Sequence, residues 1–87
     1  MKGIITVLGI NQVGIIAKVC TFLSERRINI LDISQTIVQG YFTMLMIVDM
    51  AGSSFEDTAE GLNDLGRSIG VLIKLQHEDI FNSMHRI

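Results

Sequence analysis

The stretch Ile28–Met50, "INILDISQTIVQGYFTMLMIVDM", reads as two β-strands meeting at Gln39-Gly40. β-Branched and aromatic residues dominate both runs, and a Gly-containing pair between such runs is a hairpin connection. The second run alternates. Phe42, Met44, Met46, Val48 and Met50 make one set; Tyr41, Thr43, Leu45, Ile47 and Asp49 make the other. Both sets are largely apolar through the middle, which predicts a strand covered on both faces at its centre.

Working outward, the segment before this hairpin is helical. Ile15, Ile16, Val19, Cys20, Phe22 and Leu23 recur at helical spacing, with Lys18, Ser24 and Glu25 opposite. That helix is expected to end near Arg26-Arg27, whose charges suit a helix C-terminus. Ahead of it, "GIITVLG" is a β-branched strand. On the other side of the hairpin, "AGSSFED" signals a second helix, with Ser53 or Ser54 as N-cap and Glu56 or Asp57 closing a capping box. Phe55, Ala59, Leu62, Leu65 or Gly66, and Ile69 share one face of it. Gly61 in its interior costs about 1 kcal/mol relative to Ala, so a close helix–sheet contact is expected there. Gly70 is placed as its stop. "VLIKLQ" is a fourth strand, and "HEDIFNSMHRI" carries Ile80, Met84 and Ile87 at i, i+4, i+7, an amphipathic tail helix.

The order is βαββαβ. Right-handed crossovers resolve it as an α+β, ferredoxin-like sandwich, a four-stranded antiparallel sheet with both helices on one face and a short C-terminal helix. The chain is expected to be a single domain over 1–87, with 1–76 as the core and 77–87 as the tail. The helices cover one sheet face, so the tail helix, a second subunit, or both must cover the other.

The bulk composition agrees with a subunit of an oligomer. Eighty-seven residues bury a modest fraction of their surface, and the single cysteine allows no internal disulfide to compensate. Apolar residues make up 48% of the chain and the mean hydropathy is +0.45, which implies surface to be buried against another copy. The net charge is −2 and the longest basic run is Arg26-Arg27, which argues against direct nucleic-acid binding. No apolar stretch reaches the ~18 residues of a membrane span. The start is a poor signal peptide, and with a free thiol this suggests the cytoplasm.

Between the first strand and helix lies Gly9-x4-Gly14. A phosphate-binding P-loop needs Lys and Ser/Thr directly after the second glycine, and Ile15-Ile16 stand there instead. The dinucleotide fingerprint is absent too. Acylphosphatases share the strand order but hold phosphate with an arginine in this loop, and Ile10 to Val13 contain no basic residue. RNA-recognition domains stack bases on first-strand aromatics, and this first strand has none. What remains is a loop offering backbone N–H groups at a helix N-terminus, with Asn11 and Gln12 as polar side chains. Such a loop favours an anion, and a carboxylate suits it. Asn11 can face both the amine and the carboxylate of a zwitterion, because its amide donates and accepts.

"GINQVGIIAKVCTFLSERRINILDISQT" resembles the ACT domain, a βαββαβ ligand-sensing module. "NILDISQT", "YFTMLMIV" and the whole length, tail included, are similar to small stand-alone ACT proteins of the UPF0237 family, related to the glycine-cleavage repressor type. The resemblance implies a regulatory domain that binds an amino acid or related carboxylate at a dimer interface and modulates a partner enzyme or regulator. It places Asn11 and Gly14 at the loop positions and Asn29 in "RINI" at a second polar position, with the ligand between two subunits. The expected site is therefore Ile10, Asn11, Gln12, Val13, Gly14 and Ile15 together with Asn29. Gly9 stands where some serine-binding members carry a histidine.

Other features read blandly. Cys20 belongs to the apolar face of its helix and is expected to be packed. Asp32 is either solvated or at an interface. His77, Glu78 and Asp79 are adjacent and cannot all face one ion, and His77 and His85 are poorly spaced as co-ligands. No metal or cofactor is expected. There is no nucleophile–base pair and no paired-carboxylate arrangement, so no catalytic activity is expected. The alternative to a sensor is a protein-interaction adaptor with a vestigial pocket, since exposed apolar surface marks interfaces.

Overall fold

The computed structural model describes residues 1–79. Six elements follow in the expected order: β1 (Lys2–Ile10), α1 (Ile15–Glu25), β2 (Asn29–Val38), β3 (Tyr41–Asp49), α2 (Phe55–Ile69) and β4 (Leu72–His77). The strands form one antiparallel sheet in the order β2-β3-β1-β4. This is the ferredoxin-like arrangement, with β2 and β4 as edges. The tail helix expected over 77–87 falls largely on 80–87, outside the described residues.

Local chemistry explains three of the boundaries. Gln39 and Gly40 both have positive φ, as a two-residue primed hairpin turn requires. The hydroxyl oxygen of Ser54 accepts from the Asp57 amide at 3.3 Å, so Ser54 is the N-cap of α2. α1 ends in a Schellman turn: the Ile28 N–H donates to the Leu23 carbonyl and the Arg27 N–H to that of Ser24.

The core lies between the sheet and the helices. Ile5 and Val7 of β1 and Phe42, Met44, Met46 and Val48 of β3 point into it, against Val19 and Leu23 of α1 and Leu62 of α2. All of these are buried. On the opposite sheet face Ile4 is buried and Leu45 and Ile47 are half-buried, so the centre of that face is sheltered as the alternation of β3 predicts. Its rim is not: Leu8, Ile10, Val38, Tyr41 and Leu72 are exposed.

Two contacts differ from expectation. Gly61 does not meet the sheet. A Cβ on it would lie 2.7 Å from Cζ of Phe22, so its bareness serves the crossing of α1 and α2. The close helix–sheet approach is at Gly66, where a Cβ would be 2.6 Å from the Val71 carbonyl oxygen.

The edge strand β2 is the outlier of the fold. Nine of its ten residues are exposed, and Ile30 is half-buried. Ile33 and Ile37 pair with the buried Met46 and Phe42 of β3 and so face the helix side of the sheet, yet they remain 44% and 56% exposed. No helix reaches far enough sideways to cover them.

Candidate functional site

The β1–α1 loop is built to leave donors open. Gly14 adopts the left-handed conformation at the start of α1 and no side chain caps the helix. The first intrahelical bond is from the Lys18 N–H to the Gly14 carbonyl. The N–H groups of Gln12, Val13, Gly14 and Ile15 have no acceptor among the described residues. They sit at the positive end of the helix macrodipole. Val13, at the loop tip, is fully exposed.

Two loop groups are committed elsewhere. The Asn11 amide donates to the Gly40 carbonyl at 2.8 Å, tying the loop to the β2–β3 turn and leaving only its exposed side chain for a ligand. The Gln12 side-chain nitrogen donates to the Ile69 carbonyl at 2.7 Å, which anchors the loop to the last turn of α2. Gly9, just upstream, faces Val71: a Cβ there would come within 2.6 Å of Cγ1 and 3.2 Å of Cα. A histidine at this position would need the start of β4 to move.

Asn29 is far from this loop. It pairs with Asp49, which pairs with Lys2, whereas the loop follows Ile10, paired with Tyr41. The two therefore lie at opposite ends of the sheet, about 27 Å apart for strands rising ~3.3 Å per residue. Within one subunit, Asn11 and Asn29 do not meet.

What does surround Asn29 is an open hollow of about 410 Å³. Leu23, Ile28 and Ile30 form its apolar wall, and Cys20, Ser24, Arg27 and Asn29 its polar lining. A hollow of this size suits a small ligand. Sequence reasoning passed over Ser24 and Arg27 and assigned Arg27 only to the helix terminus. Yet Arg27 has φ 57°, the left-handed conformation usually reserved for glycine at this position of a Schellman turn. That conformation costs an L-residue about 1–2 kcal/mol. Cys20 is half-buried rather than sealed in the core. Asp32 is exposed beside a β-bulge, its carboxylate accepting from the Ile33 amide at 2.8 Å. His77 is occupied in a ring stack on Phe55. Among the described residues no group of three or more His, Cys, Asp or Glu is placed to hold a metal ion, and no helix is long and apolar enough to cross a membrane.

The sheet order is that of a ferredoxin-like βαββαβ domain, and the comparisons place the chain within one family of that fold. The ACT domain family model matches residues 3–76, and a UPF0237 protein of Bifidobacterium longum is 57% identical over 88 residues, covering 99% of this chain and 98% of that one. The chain belongs to the ACT domain family, among its UPF0237 members. An ACT domain protein from Streptococcus pneumoniae has a similar structure, with a TM-score of 0.84, 38% identity and 93% of each chain covered. The ligand-free regulatory subunit of aspartate kinase from Thermus thermophilus matches 88% of this chain with 51% of its own, at 30% identity and a TM-score of 0.70.

Proposed function

We propose that this protein is a non-catalytic, cytoplasmic regulatory domain that binds an amino acid or related carboxylate between two copies of itself and passes that state to a partner enzyme or regulator. One observation carries the reading: the two halves of the expected site, the open loop at Asn11 and the hollow at Asn29, lie at opposite ends of one subunit with an exposed edge strand beside the second. Antiparallel pairing of β2 with β2 of a second copy would set Asn29 of each opposite Val38 of the other. Val38 lies two strand spacings from the Ile10 end of β1, so the partner's loop would be about 14 Å away across three spacings of ~4.8 Å. An amino acid and the two asparagine side chains span such a gap.

In this site the N–H groups from Gln12 to Ile15 take the carboxylate, and the Asn11 and Asn29 side chains take the polar remainder. The membership of the ACT family supports a regulatory rather than a catalytic role. Calorimetry with a panel of amino acids tests it: binding is expected, and Asn11→Ala or Asn29→Ala should each weaken it about tenfold or more, since a charge-assisted hydrogen bond contributes ~1.5–3 kcal/mol. Silence from the whole panel would overturn the sensor.

A second reading rests on the exposed rim formed by Leu8, Ile10, Val38, Tyr41 and Leu72, on the sheet face away from the helices. It makes the protein an adaptor whose partner covers that patch, with the loop idle. A stoichiometric complex unaffected by amino acids and by Asn11→Ala would favour it.

A further inference from the structure

We infer that Arg27 is the charge-selecting residue of the hollow, and that the ligand it admits is an amino acid with an acidic side chain or a small dicarboxylate. Three observations converge on it. First, Arg27 is the one charged residue lining the hollow; Asn29 and Ser24 are neutral, and no carboxylate competes for the guanidinium there. Secondly, the other described arginines are engaged: Arg26 lies over the Phe22 ring at 3.6 Å, and Arg67 is paired with Asp64. The Arg27 side chain has no hydrogen-bond or ion-pair partner among the described residues. Thirdly, Arg27 occupies a left-handed position where glycine would relieve strain, so an arginine is kept there at a cost to the fold.

The chemistry follows from the division of labour. The inference rests on the inter-subunit site proposed above, in which the partner's loop amides take the ligand's first carboxylate. Arg27 then stands beside Asn29 at the far end of the same ligand. A guanidinium presents a rigid, planar fork that matches a carboxylate in a two-point contact and stays charged at any physiological pH. Arg27 is exposed, so a neutral side chain leaves its fork to water, whereas a second carboxylate gains a charge-assisted two-point contact. Selection therefore acts on the second negative charge, not on size.

Isosteric pairs isolate that charge. L-aspartate against L-asparagine, and L-glutamate against L-glutamine, are titrated calorimetrically into the full chain, with succinate as a probe without the amine. At least one acid should bind about tenfold or more tightly than its amide, and Arg27→Gln should abolish that ratio by weakening the acid alone. Arg27→Gly provides a second variant that suits the backbone: it should raise the melting temperature and lose the same preference. Equal binding of acid and amide, or a preference that survives both substitutions, overturns the role of Arg27 and leaves the sensor reading standing. Absence of binding by all five compounds and by neutral amino acids of other sizes overturns both.

Discussion

The ring edge of Phe22 occupies the space that a β-carbon on Gly61 would need, with Cζ and Cε2 at 2.7 and 2.8 Å from that point. The Arg26 guanidinium lies over the ring at 3.6 Å, and its Nη2 is 3.3 Å from the same point. This contact sets how closely α1 and α2 cross. Gly→Ala inside a helix usually stabilises by about 1 kcal/mol, but forced overpacking costs about 1–3 kcal/mol. Gly61→Ala is therefore expected to lower stability in urea unfolding, by roughly 1 kcal/mol net. Phe22→Leu in the same chain should recover part of the loss. A stabilised Gly61→Ala variant would mean that the helices slide apart freely.

The imidazole of His77 stacks on Phe55 with centroids 4.0 Å apart and planes 9° from parallel. It fastens the end of β4 to the first turn of α2. Pairs of this kind contribute about 0.5–1.5 kcal/mol beyond simple burial. His77→Ala should lower the melting temperature by several degrees, given roughly 4–8 °C per kcal/mol for a domain of this size. Calorimetric scanning checks it, and an unchanged midpoint would assign the stack no energetic role.

Ser54 caps α2 through one long hydrogen bond of 3.3 Å to the Asp57 amide. Ser54→Ala is expected to cost about 0.5–1 kcal/mol, the lower part of the range for lost N-caps. Ser54→Asp should restore it, because an anion also favours the helix N-terminus.

The exposed β2 edge makes a separable prediction. Ile33 and Ile37 contribute little to the subunit's own core, since about half of each side chain is already open. Replacing both with Lys should leave subunit stability within about 0.5 kcal/mol per site. Charged residues on an edge nevertheless block strand pairing between chains. Sedimentation should therefore show a smaller species while circular dichroism stays native, and amino-acid binding should be lost with the pairing. A double variant that keeps its mass in solution would remove β2 from the interface.

Much of this molecule follows from periodicity and turn chemistry. The alternation of Tyr41 to Met50 predicted a strand covered on both faces at its centre, and the structure buries Met44, Met46 and Val48 on one face and half-buries Leu45 and Ile47 on the other. Gln39-Gly40, the Ser53-Ser54 pair and Gly70 marked their turn and helix ends because hairpin geometry, N-capping and the left-handed C-cap each demand particular residues nearby in the chain, and the structure chose Ser54 of the pair. The loop residues Asn11 and Gly14 stood out for the same local reason.

Contacts between distant segments were not legible. Nothing around Gly61 announced that its neighbour would be Phe22 of the other helix rather than the sheet, and nothing around Gln12 pointed to the Ile69 carbonyl. Ile33 and Ile37 read like any half-buried strand residues; only the sheet order, which puts β2 at the edge beyond the reach of both helices, left them open. Arg27 carried no signal because a Schellman turn is defined by backbone angles, and a glycine would have announced it better. The sequence by itself determined the elements, their order and the resemblance to the ACT family, since these depend on spacing along the chain. Only the tertiary structure decided that Asn11 and Asn29 lie at opposite ends of one subunit, because that separation is set by strand registers.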